Sequence, residues 1–320
     1  MPRKKSTPSK KPSKKSVRSS LVLSLVVAFI LFSLIGVYTN TPEQLTEVTK
    51  NVLSQVSEQK IDQEKPKLVT GAVKPENLSA RGVYAFDLDS GETLFEKEKD
   101  NPVLPASTTK LATALVSLKD YKLDDVVTVK NVSQIAGNKM GLISGEKITV
   151  KDLLYGLLIY SANDAAYALA DHHSQGRPGF INRMNEVTED LGLTKSHFTN
   201  PAGFDEYLHF STANDMAKLA NLAILDPNIS EIVKIQSFQV SSTDGRINHK
   251  LTNTNHLLGK VDGVIGIKTG TTITSGESLI TLVDRDGKRI ILSVLGSQDR
   301  FGETEKLIDW IFSNYNWGQL

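Results

Sequence analysis

Five short apolar runs of strand type lie at the two ends of the main part of the chain, and helical patterns fill the interval between them. The runs are 83–88, 93–96, 264–269, 278–283 and 289–295. Turn sequences separate the first pair (Asp89-Ser90-Gly91) and the last pair (residues 284–287), as in β-hairpins. This pattern constrains the chain to an α+β fold with one antiparallel sheet built from both ends of the domain.

The helices are predicted from apolar residues that recur at three- and four-residue spacing. Four such stripes lie at 111–118, 153–158, 216–223 and 307–315. Thr149 and Asp152 precede the second stripe as a capping pattern. We therefore expect helices to flank the sheet, and the middle of the chain to form a helical subdomain.

Charge is unevenly distributed along the 320 residues. Residues 1–18 hold eight Lys and Arg side chains and no acidic one, which leaves 29 basic and 36 acidic residues in the remainder. A body with this acidic excess does not indicate a nucleic-acid-binding protein. The chain has no cysteine, which excludes disulfides, thiol catalysis and cysteine-based metal sites.

The segment 21–38 has no charged residue and follows the basic stretch. Its 18 residues, at about 1.5 Å each, match a hydrocarbon core of roughly 30 Å. The positive-inside rule then predicts a cytoplasmic tail at 1–18, a single transmembrane anchor at 19–39 and an extracytoplasmic body at the cell membrane. A cleaved signal peptide is the alternative, but no A-x-A-like site follows Gly36.

Residues 40–80 are polar and are predicted to form a stalk that leads to a domain at 81–318. Thr41-Pro42-Glu43-Gln44 resembles a helix start, and Leu45, Val48 and Val52 recur at helical spacing. A solvated spacer is favoured over a stalk helix, because so few helical turns seldom hold alone.

Three short motifs carry candidate chemistry, and the first is Ser107-Thr108-Thr109-Lys110. A helix that starts here would place the serine and lysine side chains one turn apart on the same face. A lysine with a depressed pKa can take the proton of a serine hydroxyl and make it a nucleophile. Because serine and lysine are common, the motif alone indicates only a capped helix with a surface lysine.

The second motif is Ser161-Ala162-Asn163, in a break between two helical patterns. The Ser161 hydroxyl could pass a proton to a leaving amine, and the Asn163 amide could hold a substrate carbonyl. Taken alone, the motif is more simply a cluster of helix-capping residues.

The third motif is Lys268-Thr269-Gly270, at the end of a strand pattern. Lys268 would supply a fixed positive charge and Thr269 a directional hydrogen bond for a carboxylate. Gly270 would let a substrate backbone approach the strand closely. Taken alone, this motif is an ordinary strand end.

The three motifs together, in the order S-x-x-K, S-x-N and K-T-G, resemble those of penicillin-binding proteins and serine β-lactamases. The sequence around the motifs is similar to that of the D-alanyl-D-alanine carboxypeptidases, the low-molecular-mass penicillin-binding proteins. The similar segments are 161–166, 197–205, 209–217 and 253–258. The resemblance covers about 83–317 and implies a β-lactamase/transpeptidase-like fold.

The resemblance also implies a reaction. Ser107 would attack the carbonyl between the two terminal D-alanines of a peptidoglycan stem peptide, Lys110 would take the serine proton, and Ser161 would relay a proton to the departing D-alanine. The resulting acyl-enzyme would be cleaved by water. Penicillins and other β-lactams would acylate the same serine as inhibitors, and no metal or organic cofactor is needed.

The substrate-binding residues implied by the resemblance lie mainly on the third motif. Lys268 and Thr269 would hold the terminal carboxylate beside Gly270, and Asn163 would contact the peptide. The backbone N–H groups of Ser107 and Thr271 would form the oxyanion hole.

Three other functions are weighed against this one. A class A β-lactamase would need an E-x-x-L-N pattern between Asn163 and Lys268, and none occurs. A transpeptidase or endopeptidase uses the same chemistry and stays open. A non-catalytic wall-binding module is disfavoured, because the motif residues are intact.

Two further features complete the expectation. Many family members carry a β-rich C-terminal domain and a C-terminal membrane helix, whereas here the N-terminal segment is expected to act as the anchor.

The pair His172-His173 lies outside any zinc motif and is expected to end a helix rather than bind metal.

Overall fold

The computed structural model describes residues 65–318, so the predicted tail, the anchor at 19–39 and most of the predicted stalk lie outside the described residues. Its strands are β1 (Lys67–Leu68), β2 (Gly82–Asp87), β3 (Thr93–Lys97), β4 (Val126–Thr128), β5 (Lys147–Thr149), β6 (Ser237–Ser241), β7 (Asn248–Thr252), β8 (Val264–Thr272), β9 (Gly276–Arg285), β10 (Lys288–Ser297) and β11 (Tyr315–Asn316). Its helices are α1 (Lys110–Asp120), α2 (Val150–Ile159), α3 (Asn163–His172), α4 (Gly176–Asp190), α5 (Ala213–Ala223), α6 (Pro227–Ile232) and α7 (Arg300–Asn314).

The main sheet has five antiparallel strands in the order β3-β2-β10-β9-β8. Its strands come from both ends of the domain, as predicted, and the α+β class is confirmed. The Asp-Gly sequence between β9 and β10 forms the expected tight turn, with φ of 56° at Asp286 and 78° at Gly287. Two successive positive φ angles match the twist of a two-residue hairpin.

Alternation along the strands gives the sheet two apolar faces. Ile290, Leu292 and Val294 of β10 point to the face covered by α7, whereas Ile291 and Leu295 point to the helices of the middle region. The sheet is thus the central layer between α7 and the helical subdomain α1–α6. The four predicted apolar stripes lie in α1, α2, α5 and α7, except that Tyr315, the last residue of the fourth, lies in β11.

The helix starts follow ordinary capping chemistry. The Thr149 hydroxyl accepts the N–H of Asp152 at 3.1 Å at the start of α2, which confirms the predicted cap. Thr212 caps α5 through the N–H of Asp215 at 3.0 Å. Helix α2 ends just before the second motif, and α5 begins after the loop that starts at residue 197. The two caps therefore fix the helices next to these segments.

The described domain begins earlier than the predicted boundary at residue 81. Lys67 pairs with Asn316 in the β1–β11 ladder, and Trp310 Nε1 of α7 donates to Val73 O at 2.6 Å. Residues 67–80, which were expected to belong to the stalk, therefore lie against the domain. Leu78 and Ala80 of this segment are buried in the same apolar cluster as Leu307, Ile308 and Ile311 of α7. A backbone carbonyl such as that of Val73, which accepts from the domain, gives no signal in residue type.

No helix within residues 65–318 is both long and apolar enough to cross a lipid bilayer. The predicted anchor at 19–39 lies outside that range.

Candidate active site

The first motif begins with one turn of 3-10 helix at Ala106–Thr109, and α1 starts at Lys110. The turn packs against β8, so that the partly exposed Ser107 lies beside Gly270 of the third motif. Ala106, just before Ser107, has φ of 50°, a left-handed conformation that is costly for a residue with a Cβ. Gly203 lies directly against it, because a Cβ at 203 would come within 1.8 Å of Ala106 O.

Lys110 is completely buried and uses all three directions of its amine. Its Nζ donates to Ser107 Oγ at 2.8 Å, to Asn163 Oδ1 at 2.7 Å and to Ala202 O at 2.7 Å. The carbonyl oxygens of Asn163 and Ala202 can only accept hydrogen bonds, whereas the Ser107 hydroxyl can also donate one. The structure thus brings Ser107, Lys110 and Asn163 together.

Burial lowers the pKa of Lys110 to about 7, an effect opposed by the nearby Asp164 carboxylate. Desolvation disfavours the ammonium form, and a carboxylate favours it. The neutral amine is therefore well populated near neutral pH.

Ser161 and Lys268 meet on the other side of the cleft. Lys268 Nζ donates to Ser161 Oγ at 2.7 Å and to Thr269 O at 2.8 Å, and both side chains are buried. Ser161 has φ of 61°, so the break between α2 and α3 is a tight left-handed turn that presents the hydroxyl to the lysine. The second and third motifs are thereby joined.

Burial, together with the neighbouring Lys110 and Arg300, holds the pKa of Lys268 well below its ordinary value. The sequence predicted a fixed positive charge at Lys268, whereas the structure indicates a charge that depends on what is bound beside it. A carboxylate bound at Lys268 would favour the ammonium form, because an opposite charge raises the pKa of an amine.

The Asn163 amide is engaged on both sides. Its Oδ1 accepts from Lys110, and its Nδ2 donates to Ala136 O at 2.7 Å. In the structure Asn163 orients Lys110, and its contact with a substrate carbonyl stays a prediction.

The remaining residues of the third motif lie along β8. Thr269 is buried, Gly270 faces the nucleophile turn, and Thr271 is exposed at the cleft end of the strand. A Cβ at Gly270 would lie 2.9 Å from Ser107 N and 3.1 Å from Thr108 N. A glycine is therefore needed here because the nucleophile turn packs directly against β8. The sequence analysis had expected the glycine to make room for a substrate backbone.

Sequence reasoning noted residues 197–205 only for their family resemblance, and did not predict that the loop at 200–204 supplies the Ala202 carbonyl to Lys110. Asn200 Oδ1 accepts the N–H groups of Ala202, Gly203 and Phe204 at 3.2, 2.7 and 3.0 Å, and so folds the loop around one side chain. The sequence signal was Asn200-Pro201-Ala202-Gly203, but a backbone acceptor for a lysine 92 residues away has no signature in residue type.

Two more buried residues support the motifs. The Asp164 carboxylate accepts the N–H groups of Met140, Gly141 and Leu142 at 2.9 to 3.0 Å, and so holds the loop that covers Asn163. His209 accepts the N–H of Thr199 at Nδ1 (3.0 Å) and lies 2.9 Å from the Thr109 hydroxyl through Nε2.

Burial, with a smaller effect of His197, lowers the pKa of His209 to about 4, so its ring is neutral at pH 7. His209 therefore acts as a neutral bridge behind the nucleophile turn.

Arg300, at the start of α7, reaches the third motif. Its Nη1 donates to Gly270 O at 2.8 Å, and its Nε is buried without a hydrogen-bond partner. Within residues 65–318, no group of three or more His, Asp or Glu side chains is placed to hold a metal ion. His172 and His173 lie at the end of α3, where His172 packs edge-on against Tyr121.

Comparison with known proteins gives a family. A family model described as D-alanyl-D-alanine carboxypeptidase matches residues 69–299. The chain is 34% identical over 264 residues to a D-alanyl-D-alanine carboxypeptidase of Streptomyces sp. (strain K15), covering 76% of this chain and 90% of that protein. It is 36% identical over 257 residues to DacC of Escherichia coli (strain K12), covering 75% of this chain and 63% of that relative's length.

Solved structures give the same result for the fold. The crystal structure of the Streptomyces K15 DD-transpeptidase matches with a TM-score of 0.71 at 33% identity, covering 75% of this chain and 100% of that one. A penicillin-binding protein homolog from Mycobacterium tuberculosis matches with a TM-score of 0.71 at 30% identity. These neighbours confirm the penicillin-binding-protein type of fold expected from the three motifs.

Proposed function

The chain belongs to the D-alanyl-D-alanine carboxypeptidase family, and from that premise we propose that it removes the terminal D-alanine of peptidoglycan stem peptides through an acyl-enzyme on Ser107. The observation that carries the proposal is the environment of the Lys110 amine. Two of its three hydrogen-bond partners, Asn163 Oδ1 and Ala202 O, can only accept. When the amine is neutral, its two protons go to these oxygens, and its lone pair faces Ser107 Oγ.

Acylation follows from that orientation. Lys110 takes the Ser107 proton as Oγ forms a bond to the peptide carbonyl carbon, and a pKa near 7 suits a general base at neutral pH. The developing oxyanion is bound by the backbone N–H groups of Ser107 and Thr271. Ser107 N lies beside Gly270, one residue before Thr271, which supports this placement.

The Lys268–Ser161 pair serves the leaving group. The terminal carboxylate of the peptide binds near Lys268 and Thr269 and raises the pKa of Lys268, so that its ammonium donates to Ser161 Oγ. Ser161 then passes its proton to the departing D-alanine nitrogen as the C–N bond breaks, and takes a replacement proton from the Lys268 ammonium. Asn163 keeps Lys110 in place throughout.

Penicillins acylate Ser107, and the resulting penicilloyl group is released slowly. The Asp164 carboxylate is occupied by three backbone N–H groups, and the Asp205 carboxylate accepts from Thr272 Oγ1 at 2.7 Å. The Asp164 carboxylate is buried and occupied by these N–H groups, so it is not available to activate a water molecule, and the chain lacks the E-x-x-L-N glutamate between Asn163 and Lys268. Both observations disfavour a β-lactamase.

Incubation of the full-length chain with a stem pentapeptide that ends in D-Ala-D-Ala tests the proposal. We expect mass spectrometry to show loss of one D-alanine per peptide, and Ser107→Ala to abolish both this release and labelling by fluorescent penicillin. Labelling of Ser107→Ala equal to that of the unmodified chain would favour a non-catalytic module instead.

A transpeptidase is the second candidate, since the Streptomyces K15 structure, which this chain matches over its full length, is that of a DD-transpeptidase. The two activities differ only in the acceptor of the acyl group. Adding a peptide with a free side-chain amine to the same reaction separates them, because a transpeptidase yields a joined peptide whose mass is the sum of donor and acceptor less one D-alanine.

We propose further that residues 19–39 anchor the protein in the cell membrane, with residues 1–18 in the cytoplasm and the domain outside. The support is the uncharged segment 21–38 behind eight basic residues. Protease added to intact cells should then remove the domain and leave an N-terminal tag protected. A tag missing from a secreted domain would indicate a cleaved signal peptide instead.

A further inference from the structure

Thr254 contacts the elements that carry the second and third motifs, although it belongs to neither. It lies just beyond β7, and its Oγ1 is 2.6 Å from the hydroxyl oxygen of Thr269. Its backbone N–H donates to the carbonyl of Ile159, the last residue of α2, at 3.2 Å. Thr254 therefore connects the strand of Lys268-Thr269-Gly270 with the helix end that leads to Ser161.

The position of Thr254 is set by a rigid turn. Asn253 donates through Nδ2 to Ile235 O at 2.9 Å, and its Oδ1 accepts the N–H of Asn255 at 2.9 Å. The backbone N–H of Asn253 also donates to Gln236 O at 2.8 Å. A hydroxyl held on such a turn is oriented before a ligand arrives, and the cost of ordering it on binding is correspondingly small.

Only one proton can lie between the two hydroxyl oxygens. If Thr269 donates to Thr254, the lone pairs of Thr269 alone face the cleft, and they repel a carboxylate. If Thr254 donates to Thr269, the proton of Thr269 is free for a carboxylate, which can only accept. A hydroxyl that receives a hydrogen bond is also a better donor, because chains of hydrogen bonds polarise one another.

The charges around Thr269 favour an anion. Lys268 Nζ donates to Thr269 O at 2.8 Å, and Arg300 Nη1 donates to Gly270 O at 2.8 Å. Arg300 and Lys268, which a bound carboxylate would bring to its ammonium form, thus touch the backbone next to the Thr269 hydroxyl. A hydrogen bond from that hydroxyl to a carboxylate would be charge-assisted.

We propose that Thr254 is a positioning residue that makes Thr269 a hydrogen-bond donor toward the C-terminal carboxylate of the peptide, and that it thereby determines the preference for a free carboxylate. The inference rests on the proposed carboxypeptidase function. It concerns the specificity of the same site and adds no covalent step.

The test compares Thr254→Val, which keeps the shape but removes the hydroxyl, with Thr254→Ser, which keeps the hydroxyl. The substrates are an acylated peptide that ends in D-Ala-D-Ala and its C-terminal carboxamide, and the released D-alanine or D-alaninamide is quantified by mass spectrometry. For Thr254→Val we expect kcat/KM on the free acid to fall about tenfold, mainly through KM, as for the loss of one hydrogen bond. The carboxamide should change by less than about twofold, and Thr254→Ser should restore the rate on the free acid.

The matched control is Thr252→Val, the same substitution on an exposed residue of β7. It should leave both substrates unaffected. If the carboxamide reacts too slowly to measure, benzylpenicillin and its methyl ester supply the same comparison through the acylation rate of Ser107.

The outcomes separate this inference from the proposed function. An equal loss on both substrates assigns Thr254 a merely structural role and overturns the inference, as does an unchanged rate on the free acid, while release of D-alanine by the unmodified chain still supports the carboxypeptidase. If the unmodified chain cleaves neither peptide, the proposed function fails and the inference fails with it.

Discussion

Gly270 offers a direct test of how closely the third motif must approach the nucleophile. In Gly270→Ala the new Cβ would lie 2.9 Å from Ser107 N, and 3.1 Å from both Thr108 N and Ala106 Cβ. Two of these atoms belong to the backbone, and a Cβ cannot rotate away from them. Since unstrained contacts of this kind begin near 3.4 Å, β8 and the nucleophile turn must separate by roughly 0.5 Å in a close-packed site.

That separation has a predictable cost. It moves Ser107 relative to Thr271 on the strand, and it moves Lys110 relative to its acceptors Asn163 and Ala202. A misplacement of about 1 Å can cost about a hundredfold in rate, so roughly half of it should slow acylation by about tenfold. Overpacking should also destabilise the fold by about 1–3 kcal/mol.

The assay is the second-order rate constant for labelling of Ser107 by a fluorescent penicillin. Gly82→Ala is the matched control: Gly82 also lies in a strand of the main sheet, and its Cβ would meet its nearest atoms at an ordinary 3.4 Å. Thermal melting shows that both variants are folded. A Gly270→Ala variant labelled within about twofold of the Gly82→Ala rate would refute the reasoning about close approach.

Three further predictions concern buried polar groups. The rate of acylation by penicillin should rise with pH around a pKa of about 7, because only neutral Lys110 can take the serine proton. Lys110→Met should lose this pH dependence, and a rate constant of the unmodified chain that is independent of pH would contradict the assignment. Asp164→Asn should lower the free energy of unfolding by about 2–3 kcal/mol, because an amide NH₂ would oppose backbone donors, whereas the exposed control Asp124→Asn should melt like the unmodified chain. Because the pKa of His209 is about 4 when folded but near its ordinary 6.5 when unfolded, the unfolded state binds more protons between these values, and stability should fall by up to about 3 kcal/mol as pH falls from 6.5 to 4. His209→Gln should show a smaller loss in pH-dependent melting, and equal slopes in the two proteins would exclude this role.

Much of the fold could be predicted from local sequence patterns, and the elements that were missed have a physical explanation. The Asp286-Gly287 turn and the cap at Thr149 are local devices, so the sequence alone predicted the β9–β10 hairpin and the start of α2. Helix α4 was missed because Pro178 and Gly179 lie in its first turn, where proline is tolerated although it suggests a break. The small two-stranded sheets β4–β5 and β6–β7 were missed because their short strands lack a sustained apolar pattern.

The site was predicted where residue types carry the chemistry, and missed where the backbone does. Ser107, Lys110, Ser161 and Lys268 stood out through their order along the chain, and the structure brings them into one cleft. The Ala202 carbonyl gave no signal, because every residue has a carbonyl and only the fold decides which one faces an amine. Such long-range acceptors are found only once the topology is known.

Several features that local rules disfavour occur at the three motifs. Ala106 and Ser161 have positive φ angles, and Lys110 and Lys268 are buried amines, each of which costs stability. The same burial brings the pKa of Lys110 to about 7 and makes the lysine a usable base. Stability and reactivity are therefore coupled through one physical cause: a substitution that returns this amine to water relieves the desolvation, restores the ordinary pKa and removes the base.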